Sequence, residues 1–398
     1  MNISILTNLY PPFIRGGAEY LTHQLVQELV RQKHSVSVIT TAPWKSVKWW
    51  RTELSDEGGV RVYRFYPPNF YHYLSAARVP YPLRFIWHLV NLFNFMAARK
   101  LKHILKREQP ELVVSANLMG LSFWTPRVVN RLGIRHIHIL HDVQLLHPSG
   151  LFLLGQHDVG WGAKFYQLLT RWLFSSVSII ISPSHWLIDE HQRRGFFKKA
   201  KVVCLPNPVP PSVVVPTIKT TKAPLNLLYV GQIEEHKGII WLIEAIKNLS
   251  RQDFQLHLYV LGQKPKLRVV KDLINNDHRF VLHDLPSQQE IDEAYSSSHL
   301  ALVPSLCYEN SPVAIPRAFA AGTPVLASRI GGIPELVRVG DTGWLFIAGN
   351  NQDLITKLEW CLDHPGDLLK AGLTASREFA DRTLEHYAQE IAKLAALN

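Results

Sequence analysis

The residues most able to do chemistry sit where strand patterns end and helix patterns begin. Lys237 closes the stretch Gly231-Gln-Ile-Glu-Glu-His-Lys237-Gly238, after an apolar strand ending at Val230 and before a helix-period run of Ile239, Ile240, Leu242, Ile243 and Ile246. Strand, glycine, Lys-Gly and helix in that order can set an ammonium and backbone amides against a diphosphate. Glu309 lies in Pro304-Ser305-Leu-Cys-Tyr308-Glu309-Asn310-Ser311-Pro312-Val313, at the carboxyl end of the strand pattern Leu300 to Pro304. A carboxylate there can accept hydrogen bonds from hydroxyl-rich ligands. Pro312 suits the first turn of the next helix, where a missing N–H costs nothing, and Gly322 ends that helix before Pro324 enters a strand. His141-Asp142 follows the strand Ile137 to Leu140, so its imidazole can donate to hydroxyls or phosphates. Gly16-Gly17-Ala18-Glu19 follows the first strand and opens a helix, where glycines admit a ligand to the backbone and free amides favour anions. Gly331-Gly332-Ile-Pro-Glu335 repeats that arrangement. Taken singly, each also fits a bland role: a turn, a capping histidine, a helix start.

The elements that must position these residues form two α/β halves. In the first, strands are expected at 3–7, 34–40, 112–115, 135–140 and 178–182, with a helix carrying Leu21, Leu25, Val26, Leu29 and Val30 on one face. A β-loop-α-β unit predicts a parallel sheet. From Pro206 to Pro224 the texture is Pro-rich and without period, which reads as a linker. Strands then recur at 225–230, 257–261, 279–282, 300–303 and 324–327, and Ser287-Gln-Gln-Glu290 forms a capping box. The predicted domains are 1–205 together with 377–398, a linker at 206–224, and 225–376. Ligands of such open sheets sit at the carboxyl ends of the strands, so two halves offer one shared cleft.

Composition narrows the class. A chain of 398 residues, 47% hydrophobic and 19% charged, suits two globular α/β cores. Cys204, Cys307 and Cys361 are far apart and form no CxxC, so neither a disulfide framework nor a zinc site is indicated. The N-terminus reads as a strand rather than a signal peptide, and no apolar run reaches the roughly 18 residues of a membrane span. A cytoplasmic protein is expected. The net charge of +11 suits anionic lipid or a polyphosphate substrate. Nucleic acid is not expected, because no zinc-finger, RNA-binding strand or helix-turn-helix signature occurs.

Together, Gly16-Gly17-Ala18-Glu19, His141-Asp142, Pro206-Asn207, the block from Gly231 to Gly238, and Tyr308-Glu309 through Gly332-Ile333-Pro334-Glu335 resemble glycosyltransferase family 4. The resemblance spans nearly the whole chain and rests on the order and spacing of the motifs. It implies the GT-B fold: two Rossmann-like domains facing each other across a cleft, with a C-terminal helix (Glu385, Tyr387, Ile391, Leu394) crossing back to the first. It implies a retaining hexosyltransferase that moves a sugar from a nucleotide-sugar, UDP- or GDP-linked, to a glycan or lipid-linked acceptor. Gly16 and Gly17 would lie near donor diphosphate and acceptor. His141 would hydrogen-bond the transferred sugar, Lys237 would neutralise the leaving diphosphate, and Glu309 would bind donor hydroxyls. Amides of Asn310, Ser311, Pro312 (through its neighbours) and Val313 would help hold phosphate and sugar. The base would lie near His283 and Asp284. No metal and no cofactor are implied, and no protein nucleophile is assigned.

Two departures stand out. Gln232 occupies a position where the family commonly has Arg, and Arg317 replaces a second Glu that would bind ribose. Arg has no acceptor atom. Arg317 either restores part of the charge missing at Gln232 or marks a weakened nucleotide site. The latter supports a rival reading, a decayed transferase acting as a sugar- or partner-binding protein; an oxidoreductase lacks its GxGxxG. Two stretches suit an anionic membrane surface: Pro43 to Arg51, which alternates indoles with basic groups, and one long helix from Arg84 to Lys102. A buried helix is the alternative for the second.

Overall fold

The computed structural model describes residues 1–44, 51–156, 160–209, 219–261 and 264–396. The chain divides into two compact units: Met1–Leu151 with Asp158–Pro206 and Leu384–Asn398, and Phe152–His157 with Asn207–Thr383.

The first unit runs β1 (Asn2–Leu6), α1 (Gly17–Arg31), β2 (Ser35–Thr41), β3 (Glu53–Asp56), β4 (Arg61–Phe65), α2 (Tyr81–Leu92), α3 (Phe95–Glu108), β5 (Leu112–Ser115), α4 (Thr125–Arg131), β6 (Arg135–Ile139), α5 (Trp161–Phe174), β7 (Ile179–Ser182), α6 (His185–Arg193) and β8 (Lys201–Cys204). Its eight strands lie in the order β3-β4-β2-β1-β5-β6-β7-β8, parallel throughout except for the β3–β4 pair. Both faces of the central strands are covered, so they read as continuous apolar runs. Ile3, Ile5, Val36, Val38, Leu112, Val114, Ile137 and Ile139 point to one face, where Leu25, Val26 and Leu29 of α1 meet them.

The second unit runs β9 (Leu225–Gln232), a short 3-10 turn (Glu235–Lys237), α7 (Ile239–Lys247), β10 (Phe254–Leu261), α8 (Lys264–Ile274), β11 (Phe280–Asp284), α9 (Gln288–Ser297), β12 (Leu300–Val303), α10 (Ala314–Ala320), β13 (Val325–Ser328), α11 (Ile333–Leu336), β14 (Gly343–Phe346), α12 (Asn351–Asp363) and α13 (Pro365–Phe379). Its six parallel strands are ordered β11-β10-β9-β12-β13-β14. The final helix, α14 (Leu384–Ala396), belongs to the first unit, where Tyr387, Ala388, Ile391 and Leu394 are buried in the core with α1.

Several expectations change. The chain rejoins the first unit at Leu384 rather than 377, because α13 continues to Phe379, whose ring packs edge-on to Phe319 of α10 at 4.7 Å. Within the Pro-rich stretch, 210–218 lie outside the described residues. Its flanks are tied to the second unit: Val209 N–H donates to Arg382 O, and Lys219 Nζ donates to Gly322 O at 3.0 Å. The single helix expected over 84–102 is two, because Asn94 caps α3 by accepting from Ala97 N at 3.0 Å. Strand β9 runs two residues past Val230, since Gly231 and Gln232 pair with Val260 and Leu261. Helix α10 begins at Ala314, so Pro312 precedes it instead of sitting in its first turn; Val313 is the cap. The basic–aromatic loop falls largely on residues 45–50, outside the described residues. The capping box at Ser287 and Glu290 is present, with Ser287 N–H donating to Glu290 at 2.7 Å.

Candidate active site

In each sheet the strand order reverses at one point, and the carboxyl ends of the strands flanking it are where an open α/β sheet binds ligands. In the second unit that point lies between β9 and β12. The segment after β9 carries Lys237, and the segment after β12 carries Glu309. The two meet: Lys237 Nζ lies 3.0 Å from Glu309 Oε2.

Two glycines make the meeting possible. Gly238 has φ +72°, and a Cβ there would fall 1.9 Å from the Pro304 carbonyl oxygen. Only glycine allows the turn bearing Lys237 to press on the end of β12. Gly331 has φ +60°, and its Cβ would fall 2.3 Å from the Glu309 carbonyl oxygen. Beside it, Gly332 N–H donates to that same oxygen at 2.8 Å. Leu306 N–H donates to His236 O at 2.8 Å and so ties the two segments together. Residues Leu153 and Tyr308 complete the frame: Leu153 bridges Cys307, and Tyr308 N–H donates to Phe152 O at 2.9 Å.

The electrostatics follow from this geometry. Burial works to raise the Glu309 pKa, but the Lys237 charge and the Ser305 hydroxyl, which donates to Oε1, outweigh it and hold the carboxyl below its usual value. Burial likewise works to lower the Lys237 pKa, and the Glu309 charge outweighs it, so Lys237 is held above its usual value. Both groups are therefore ionised at neutral pH: a cation and an acceptor-only carboxylate side by side, with Lys237 30% and Glu309 12% exposed.

The remaining second-unit candidates lie around this pair or at the sheet edge. Gln232 ends β9, and its carbonyl accepts from the Tyr229 hydroxyl at 3.1 Å. Asn310 is buried and Ser311 half-buried in the segment leading to α10. Arg317 on α10 faces Asp292 of α9, with Nη2 3.9 Å from Oδ1. His283 and Asp284 end β11, the edge strand; the His283 ring stacks on Tyr259 at 4.0 Å.

In the first unit the strand order reverses between β1 and β5. Gly16 and Gly17, both exposed, start α1 just beyond β1. Gly16 N–H donates to Glu19 Oε2 at 2.9 Å, which orders that turn. His141 and Asp142 follow β6, the neighbour of β5. Burial brings the His141 pKa down to about 4, so its imidazole is neutral at pH 7. Burial pushes the Asp142 carboxyl up to about 7, although Gln144 N–H donates to it at 2.8 Å.

Sequence reasoning missed three supports: the Phe152–Tyr308 link, the His236 carbonyl, and a buried polar group in which Ser115 Oγ lies 2.7 Å from His136 Nε2 and 2.8 Å from His138 Nδ1. The alternation of His136 and His138 along β6 was the one available signal. Among the described residues no cluster of three His, Cys, Asp or Glu side chains could hold a metal ion.

Two families match, one over each half. A family described as "Glycosyl transferase 4-like domain" matches residues 16–208, and one described as "Glycosyl transferases group 1" matches 224–364. The chain belongs to the group 1 glycosyltransferases. Relatives of this glycosyltransferase include an uncharacterized 42.6 kDa protein in the cps region of Klebsiella pneumoniae, 24% identical over 85% of this chain and 88% of that one. The putative colanic acid biosynthesis glycosyltransferase WcaL of Salmonella typhimurium is 31% identical over 41% of this chain and 42% of its own. Among solved structures, sucrose-phosphate synthase from Thermosynechococcus elongatus aligns with TM-score 0.76 at 18% identity, over 99% of this chain and 98% of that one. HepE of Anabaena in complex with UDP aligns with TM-score 0.69 at 17% identity over the whole of both. At these identities the likeness shows the fold, which is GT-B.

Proposed function

We propose that this glycosyltransferase moves a hexose from a nucleoside diphosphate sugar to a glycan or lipid-linked acceptor in polysaccharide synthesis, with retention of configuration. The observation that carries the reading is the Lys237–Glu309 pair, set at the reversal point of the second sheet by Gly238 and Gly331. A bound diphosphate competes for the ammonium of Lys237, and sugar hydroxyls donate to the carboxylate of Glu309, so the donor replaces each partner with a better one. As the glycosidic bond to phosphate breaks, Lys237 neutralises the charge that develops on the leaving diphosphate. The acceptor hydroxyl attacks from the same face, and its proton passes to the leaving phosphate oxygen. No protein nucleophile takes part. In the first unit, neutral His141 keeps one ring N–H to donate to a sugar hydroxyl, and the exposed start of α1 at Gly17 offers backbone amides to phosphate or acceptor, while the Gly16 amide is held by Glu19. The reaction needs no metal in this scheme, because Lys237 and backbone amides balance the charge. The colanic acid relative and the UDP complex of HepE support the substrate class.

Calorimetric titration with UDP, GDP and ADP and their glucose and mannose conjugates, in EDTA, tests the reading. We expect one nucleotide series to bind wild-type protein and Lys237→Ala to weaken binding at least tenfold. Silence across the panel from folded protein refutes it. Anomeric analysis of the product then tests retention.

A further inference from the structure

Helix α5 of the first unit is apolar on two opposite faces. One face carries Tyr166, Thr170, Leu173 and Phe174 into the core. The other carries Trp161, Phe165, Leu168 and Trp172, which recur at intervals of four, three and four and so form one stripe along the helix. These four are 91%, 57%, 50% and 48% exposed. A surface helix of a globular unit places polar residues outward, and packing within the unit engages Trp172 but leaves Trp161 and Phe165 largely exposed. The stripe continues beyond the helix. Trp172 lies 5.5 Å from Trp124, and Trp124 meets Phe95, itself 56% exposed, at 4.7 Å.

The charged side chains that meet the stripe and line the hollow beside it are cations. Residues 124–141, 161–182 and 191–207 contain no Asp or Glu; Asp189 and Glu190 of α6 fall between these stretches, and Glu190 is buried in pairs with Arg193 and Arg194. The Arg127 guanidinium lies 4.3 Å above the Trp172 ring, and Arg131 lies 5.8 Å from the Trp124 ring. Beside the stripe is a hollow of about 700 Å³ lined by Leu168, Trp172 and Phe197 on its apolar side and by Arg171, Lys198 and Lys199 on its cationic side. Apolar rings bordered by cations match the boundary between acyl chains and anionic headgroups. A second copy of the chain fits poorly, because symmetric pairing would set these cations against themselves.

We infer that the outer face of α5 docks this protein on an anionic bilayer, with Trp161, Phe165, Leu168 and Trp172 in the interface and Arg171, Lys198 and Lys199 on lipid phosphates. Helix α5 lies outside the two stretches that sequence alone suggested, and the surface reaches the second of them only at Phe95. It is independent of the catalytic reading, since docking needs neither donor nor acceptor.

The test is flotation of the full chain with vesicles of phosphatidylcholine and phosphatidylglycerol at four to one, against phosphatidylcholine alone. Wild type should float with the anionic vesicles at low salt and be released as salt rises. Lys198→Ser with Lys199→Ser should lower partitioning about thirtyfold. Trp161→Ala with Phe165→Ala should abolish flotation while circular dichroism stays native, because both side chains are exposed. Quenching of tryptophan fluorescence by brominated lipid should fall in Trp161→Phe. No flotation of wild type, or flotation untouched by both double variants, overturns the inference. So does a dimer in sedimentation velocity that the Trp161→Ala/Phe165→Ala variant dissolves.

Discussion

Lys237 and Glu309 serve as each other's counter-ion in the second unit, and that pairing has a pH window. Glu309 is held below its ordinary value, so the stability it lends is present above about pH 4.3 and lost as pH falls through its folded value. Lys237 is held above its own, so its contribution is lost only at strongly alkaline pH. Asp142 behaves oppositely. Its folded value near 7 lies above the ordinary 3.9 or so, and the folded chain therefore keeps a proton that the unfolded chain has released. Stability falls as pH rises through that window. The melting temperature of Asp142→Asn should gain on wild type steadily from pH 4 to pH 8; a constant difference would mean that Asp142 titrates as an ordinary carboxyl. Arg317 offers a second test at this scale. Arg317→Glu would face Asp292, and the two carboxylates should cost roughly 1–3 kcal/mol in denaturant unfolding. Adding Asp292→Lys should restore stability. Donor affinity of the paired variant separates the two roles left open by the sequence: a fall marks Arg317 as replacing the charge missing at Gln232, and a rise marks it as an obstruction. Lys237, Glu309 and their glycines were legible because local motif and strand end coincide. The Asp292 partner was not, since α9 and α10 meet only through tertiary packing.

At the scale of elements, the site depends on how closely backbones approach. Gly238→Ala and Gly331→Ala each combine a positive φ with a Cβ inside a carbonyl oxygen's radius. Each should destabilise the chain by about 2–3 kcal/mol and weaken nucleotide binding more than any surface change, read by thermal melts and calorimetry. Gly340→Ala is the control: its φ is also positive, at +85°, but its Cβ would meet nothing within 4 Å, so it should leave binding intact. Most strands were readable because buried parallel strands are unbroken apolar runs. Strand β4 was not, because Arg61 and Arg64 interrupt it; Arg61 pairs with Glu108, remote in sequence, and Arg64 with Glu57 in the turn between β3 and β4. The break between α2 and α3 was hidden because apolar residues continue across Asn94, and only the cap reveals it. The Phe152–His157 segment was unreadable for a different reason: it joins the second unit by a backbone bridge to Cys307, and backbone pairing leaves no side-chain pattern.

At the scale of the whole molecule, two α/β halves were legible from the pattern restarting at Leu225, and so was the return of the last helix. The point of return was not, because α13 and α14 have the same amphipathic period and only their packing partners differ. Among the described residues no helix is long and apolar enough to cross a membrane. Removing residues 384–398 should lower the melting temperature, since four buried side chains, Tyr387, Ala388, Ile391 and Leu394, would leave the first core, on the order of 5 kcal/mol of apolar burial. Limited proteolysis should then cut first within the first unit, and an unchanged digestion pattern would show that α14 is dispensable there. The position of α14 also reverses the usual order of events on the ribosome. Domains generally fold as they emerge, the earliest first, at about 5–20 residues per second. Here the opening unit must wait for the closing helix, while the intervening unit is synthesised whole before that helix appears. The nascent chain therefore carries an unfinished N-terminal core for on the order of ten seconds or more, with α1 and its sheet awaiting the helix that covers them.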